Sequence, residues 1–282
     1  MIFCPSRIAQ SIAFFAIVVA AAAAAQGPQG AMTPRSPAYA DLADLADSAP
    51  LVVRAELRKL APVDAARVRG VRPGHARYYV EAKTQALISG SAPLGEALTW
   101  LVDLPLDAKG KPPALKKKSV VVFARIVPGH PGQLQLIAPD TQILWDPAMD
   151  ARLRGILTEL LGAGAPPRVT GVREAIHVPG NLAGEGETQL FLNTANGEPA
   201  AIAVVHRPGA PTSWSASFSE LLNDSGRPPP PETLAWYRLA CFLPSVLPAG
   251  TNVSSTPEDR AVAESDYRLV KTQLGPCGRT RG

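Results

Sequence analysis

Ala76-Arg77-Tyr78-Tyr79-Val80-Glu81-Ala82-Lys83-Thr84-Gln85-Ala86-Leu87-Ile88 is the stretch on which the fold turns. Tyr78, Val80, Ala82, Ala86 and Ile88 share one parity, while Arg77, Tyr79, Glu81, Lys83 and Gln85 share the other. Successive side chains of a strand point to opposite faces, so this reads as a long strand with one face in a core and one in water. The stretch before it behaves the same way. Over 51–59, Leu51, Val53, Ala55 and Leu57 alternate with Arg54, Glu56 and Arg58. Downstream, 96–103 sets Leu98, Trp100 and Val102 on one side. The run 120–127 is apolar on both faces, and Pro128-Gly129-His130-Pro131-Gly132 turns it into a further strand over 133–138.

Helices bracket these five strands. Ser36 before Pro37 is a cap and first-turn pair, and Tyr39, Leu42 and Leu45 form one face of a helix that Pro50 ends. Asp146-Pro147 starts another helix, with Leu153, Ile156, Leu157, Leu160 and Leu161 as its apolar side. After a linker at 162–167, Asn196-Gly197 marks a hairpin between 190–193 and 201–206. Over 212–218, Trp214, Ala216 and Phe218 alternate with Ser213, Ser215 and Ser217. A proline run at 228–231 precedes two helices, 232–243 and 257–274, the second capped by Thr256 with Asp259 at its third position. The expected fold class is α+β. A five-stranded OB-like β-barrel with flanking helices covers 36–162, and a smaller β-sheet with two helices covers 168–282.

The N-terminus carries a different signal. One charge, Arg7, precedes an apolar run from Ile12 to Ala25, which ends in six alanines. Ala23-Ala24-Ala25 before Gln26 places small residues where signal peptidase needs them, so cleavage after Ala25 is expected. The run is shorter and weaker than the roughly 20 strongly apolar residues of a membrane span. Residues 26–35, rich in Gly, Pro and Gln, are expected to be disordered. The remaining chain of about 257 residues is then periplasmic or secreted, with no transmembrane segment. Two cysteines survive cleavage, Cys241 and Cys277, and an oxidising compartment predicts a disulfide between them.

The succession of helix, five strands and helix over 36–162 resembles the netrin-like OB-fold modules, the class that includes tissue inhibitors of metalloproteases. The likeness rests on 49–57, on 76–83, and on Ile143-Leu144-Trp145-Asp146 leading into a helix. Those inhibitors chelate a target zinc through an N-terminal cysteine. No cysteine lies in 26–166 here, so the resemblance implies a fold and not that mechanism. The whole chain also resembles exported alphaproteobacterial proteins, which brings no function with it.

Chemistry-bearing motifs are few. No G-x-S-x-G elbow, S-x-x-K pair or Gly-rich phosphate loop is present. His75 and His130 sit in turn sequences. Glu174, His177, Glu185, Glu187 and His206 are the residues that would have to converge for a metal-dependent enzyme or a periplasmic hydrolase centred on His177 and His206, although no recognised ligand spacing links them. No metal site and no cofactor is expected.

Charge is more informative. Residues 51–125 hold 14 Lys/Arg against 6 Asp/Glu, whereas 167–282 hold 10 against 11. Such a surplus either solvates a sheet or concentrates anionic partners on it. Arg54, Arg58, Arg77 and Lys83, with outward parity on two strands, would form one stripe, aided by Lys116, Lys117 and Lys118. The expected partner is an anionic envelope component or another envelope protein, not nucleic acid. The expected function is a non-enzymatic binding or interaction module with a basic surface.

Overall fold

A computed structural model describes Met1 and residues 36–91, 93–218 and 227–281. Apart from Met1, the expected export signal and the 26–35 stretch expected to be disordered lie outside the described residues. From Ser36 onward the chain is one compact unit of mixed α+β structure. No helix among the described residues is long and apolar enough to cross a membrane.

The first sheet has six antiparallel strands. These are β1 (Leu51–Pro62), β2 (His75–Ser89), β3 (Ala97–Pro105), β4 (Ser119–Ile126), β5 (Leu134–Leu136) and β6 (Gln142–Leu144). Their order is β3-β2-β1-β4-β5, with β6 also paired to β4. Strand β3 also bonds to the segments flanking β5. The Thr99 and Asp103 amides of β3 donate to the Gly132 and Pro139 carbonyls at 2.8 and 2.7 Å, and a parallel bridge joins Thr99 to Gln133. Gly132, at φ +80°, makes this approach possible: a Cβ there would stand 2.8 Å from the Ala97 carbonyl oxygen.

The alternation in sequence becomes one packed face of this sheet. Leu51, Val53, Ala55 and Leu57 pack with Val80, Ala82, Leu98, Trp100 and Val102, and with Val120 and Val122 of β4. The apolar second face of β4 has its own use. Val121 and Phe123, with Val52, pack under α1 (Tyr39–Ser48) and α2 (Pro147–Leu161). The expected cap at Asp146 is present, accepting from the Met149 amide at 2.9 Å. The first helix starts later than its Ser-Pro pair suggested. Ala38 is its N-cap, and the Asp41 carboxylate accepts the Ala38 amide at 3.1 Å.

The second sheet has four antiparallel strands in the order β10-β9-β8-β7, comprising β7 (Val169–Pro179), β8 (Gly186–Thr194), β9 (Ala200–His206) and β10 (Ser213–Ser217). The Asn196-Gly197 hairpin joins β8 to β9 as expected. Strand β7 was not expected. Register shifts between Val169 and Gly171 and between Val172 and Glu174 put Val172 and Ala175 on the same face at odd spacing, which destroys the period of two. Helix α4 (Pro257–Leu274) packs on β7 and β8, α3 (Leu234–Ala240) packs against α4, α1 and α2, and Thr256 caps α4 by accepting the Asp259 amide. One hydrophobic cluster runs through Phe123, Leu42, Ile156, Leu190, Ile202, Trp214, Tyr237 and Tyr267, so both sides of the 162–167 linker contribute to it.

The ends of the unit are tied together by charge. Asp41, Asp44 and Asp47 recur along one face of α1. Asp41 accepts from the Thr280 amide and hydroxyl and from the Arg281 amide, at 2.9, 2.5 and 3.0 Å. Asp44 takes Arg279 and the Tyr237 hydroxyl, and Asp47 takes Arg238 and Arg168. The Cys241–Cys277 disulfide fixes where this tail departs, with Cα atoms 4.8 Å apart.

Candidate functional site

The four basic residues expected to form a stripe do not stand free. Arg77 holds Asp103 through Nε and Nη2 at 2.6 and 2.8 Å, and that pairing pushes the guanidinium further above its ordinary range. Lys83 pairs with Glu96 at 2.8 Å. Arg58 occupies the bulge between Leu57 and Lys59 and pairs with Glu56 at 3.2 Å. Arg54 lies over the Trp145 ring, 4.9 Å from its centroid. Lys59 and Glu81, register partners on the same face, pair at 2.9 Å. The outer face of β1, β2 and β3 is thus a ladder of alternating charge. Strand pairing explains the difference from the expected stripe: it sets Arg77 and Lys83 beside acids on or next to β3, while Arg58 takes Glu56 two residues away and Arg54 takes an aromatic ring.

The unbalanced charge sits at one end of the sheet. His75 pairs with Pro105, and the Leu106 amide donates to the Gly74 carbonyl at 2.8 Å. The Leu57 amide donates to the Lys118 carbonyl at 3.0 Å, and the Lys117 amide to the Leu57 carbonyl at 2.8 Å. These bonds bring loops 63–74 and 106–118 to the same pole. Among the described residues, Arg67, Arg69, Lys109, Lys111, Lys116, Lys117 and Lys118 are exposed and make no ion pair. The loops hold two acids, and both serve the backbone. Asp64 accepts the Ala66 amide at 3.0 Å, and Asp107 accepts the amides of Lys109 and Lys111 at 2.8 Å. Lys117 adopts φ +64°, a left-handed conformation that costs a non-glycine residue roughly 1 kcal/mol.

A second cluster involves two of the five expected ligands. His177 and His206 face one another with ring centroids 5.9 Å apart. The buried Thr188 hydroxyl donates to Asp266 at 2.5 Å, and its oxygen accepts from His177 Nδ1 at 2.9 Å. His206 Nε2 lies 2.9 Å from both oxygens of Asp266, which is 3 % exposed. The Thr212 hydroxyl meets His206 Nδ1 at 3.2 Å. Gly186 leaves room for the His177 ring: a Cβ would fall 2.7 Å from Cε1. Glu174, Glu185 and Glu187 do not join. The half-buried Glu174 and Glu187 have the opposite parity to His177 and Thr188, and Glu185 accepts the Asn181 and Leu182 amides in the preceding turn. Among the described residues, no group of three or more His, Cys, Asp or Glu is arranged to hold a metal.

Sequence reading missed Asp266 and Thr188, yet both carried a signal. Asp266 adjoins Tyr267 on the face of α4 that also carries Ala263 and Val270, and Thr188 shares the inward parity of Leu190 and Leu192. A polar residue on an apolar stripe needs a buried partner. Loop pairing at the basic pole had no such signal, because it depends on strand order.

No family model matches the chain, and no curated protein is significantly similar to it. The functional reading therefore rests on this geometry.

Proposed function

We propose that this is an exported, non-enzymatic docking module that binds an anionic component of the cell envelope through the pole formed by loops 63–74 and 106–118. The single observation behind this reading is the seven exposed cations there without carboxylate partners. The rest of the first sheet's surface cations are matched by neighbouring groups, so net attraction is concentrated at one place. The Cys241–Cys277 disulfide supports an oxidising compartment.

The first sheet serves as a rigid platform, and we propose that it is an OB-like barrel of the netrin-like kind. Its strand order and the parallel Thr99–Gln133 bridge support that reading. The test compares the full exported chain with a charge-reversed variant, Arg67→Glu/Arg69→Glu/Lys116→Glu/Lys117→Glu/Lys118→Glu, on sulfated agarose and on anionic and neutral vesicles. The parent chain should be retained on an anionic surface at low salt and released at high salt. Equal behaviour of the two chains on every surface would refute the reading.

One arrangement favours a second reading, a hydrolase. Asp266 accepts at His206 Nε2, which leaves Nδ1 to receive the Thr212 hydroxyl proton; this is a nucleophile, base and orienting acid in sequence. Hydrolysis of small activated esters that disappears in both His206→Ala and Thr212→Ala would establish it. Identical rates in parent and variants would leave the network structural.

A further inference from the structure

We infer that the basic pole takes an extended, flexible polyanion with a charge on each repeat, rather than a lipid bilayer or a single small anion; this inference rests on the docking proposed above. Three features of the pole select that ligand class.

The first is dispersal. Arg67 and Arg69 belong to one loop, and Lys109, Lys111, Lys116, Lys117 and Lys118 to the other. All are exposed, and none is held by a carboxylate. Among the described residues, no unpartnered buried side-chain donor lies in either loop to enclose a single phosphate or carboxylate. Each contact is therefore weak by itself, and affinity must come from several engaged together on one ligand, which a repeating chain supplies by effective concentration.

The second is the absence of an apolar wedge. Stable attachment to a bilayer takes a second signal beside a polybasic patch, usually an apolar group buried at the acyl boundary. The large exposed apolar side chains of the described residues, Tyr79, Leu101 and Leu144 among them, lie outside both loops. The larger apolar residues of the loops are covered or half covered: Leu115 is buried, Val63, Val68, Val71 and Leu106 are intermediate, and the exposed apolar residues are alanines and prolines. The pole offers charge with nothing to insert.

The third is Lys117. Its left-handed backbone is a position where glycine would be less strained. A lysine there gives up some stability and keeps a cation in the middle of the Lys116–Lys118 run. That trade is expected where the charge has a use.

Binding should then follow polyelectrolyte behaviour. Each neutralised ligand charge releases a counterion, so affinity falls steeply with salt. The test measures binding of the full exported chain to long-chain inorganic polyphosphate, to polygalacturonate, to triphosphate and to phosphatidylglycerol-containing vesicles, at about 50 mM and about 200 mM salt. At least one long polymer should bind more than about tenfold tighter than triphosphate, a gain within the range multivalency provides, and should lose most of that affinity at the higher salt. The two polymers separate a phosphate-bearing from a carboxylate-bearing source. Lys117→Gly should weaken polymer binding while leaving thermal stability equal or higher, and Lys83→Glu should leave binding within twofold. Retention by vesicles without polymer binding would overturn the choice of polymer and leave anionic docking standing. Binding to none of the four would overturn both. Equal affinity for triphosphate and long polyphosphate, or unchanged binding by Lys117→Gly and the five-site charge reversal, would also overturn the inference.

Discussion

Arg77 and Asp103 lie directly opposite each other on β2 and β3, and the arginine grips both oxygens of a carboxylate whose side chain is 4 % exposed. Among the described residues neither oxygen has another side-chain partner, so the carboxylate's burial depends on this one guanidinium. Arg77→Ala should therefore lower stability by about 3 kcal/mol, because removing one partner leaves a buried charge uncompensated. The double change Arg77→Met/Asp103→Leu should recover most of that loss. Chemical denaturation of the two variants measures the difference. A loss below about 0.5 kcal/mol in Arg77→Ala would mean that water reaches Asp103 freely.

Asp266 serves two partners from β8 and β9 at once. Asp266→Ala should cost about 2–4 kcal/mol, since the buried Thr188 hydroxyl and the His206 ring both lose their acceptor. The expected readout is a lower unfolding midpoint with an unchanged denaturant slope. Gly186→Ala should act on the same network through space, costing about 1–3 kcal/mol as the His177 ring is displaced.

Acid should loosen the tie between α1 and the rest of the unit. At Asp47, burial pushes the carboxyl up, and the hydrogen bonds and charges of Arg238 and Arg168 more than reverse this, so it sits below its ordinary 3.8. At Asp41, burial acts in the same upward sense, and the bonds from Thr280, Arg281 and Ala38 bring it below that value too. A depressed folded-state value means the stabilisation is fully present above the unfolded value and is lost as pH falls through the folded one. Stability should thus hold down to about pH 4 and decline below it. Asp41→Asn and Asp47→Asn should start less stable at neutral pH and show a shallower decline in acid, followed by thermal melts across pH 2 to 6.

Removing the disulfide should be costly. Cys241→Ser/Cys277→Ser frees a loop with a sequence separation of 36, worth about 4 kcal/mol in the chain-entropy account. Limited proteolysis should then cut the tail around 278–281, which the parent chain protects through Asp41 and Asp44.

Much of the architecture was legible because it follows from period and punctuation. The alternation of β1, β2 and β3, the two-faced β4, the Asn196-Gly197 hairpin and the Thr256 cap all depend on neighbours within a few residues. Strand β7 was not legible, because its bulges break the period, and β6 has only three residues in which to show one. His177 and His206 do come together, which their separate places in sequence suggested only as a possibility. The acid at His206 comes from α4 and is linked to His177 only through Thr188; it is not one of the nearby glutamates, because strand parity turns Glu174 and Glu187 to the other face. The basic surplus was visible as a count. Its location was not: pairing across strands neutralised Lys83 and Arg77 and left the loops charged, and register cannot be read from residue types alone.

The tie between α1 and the tail also has a consequence for the order of events. Asp41 and its partner Arg281 are 240 residues apart in sequence. A chain that crosses a membrane from its N-terminal side presents α1 on the far side long before residues 279–281 arrive. Until then Asp41 lacks Thr280 and Arg281 and Asp44 lacks Arg279, while Asp47 has its partners Arg168 and Arg238 on earlier parts of the chain. On the proposed export route, the tie between α1 and the tail is therefore completed only at the last stage of passage.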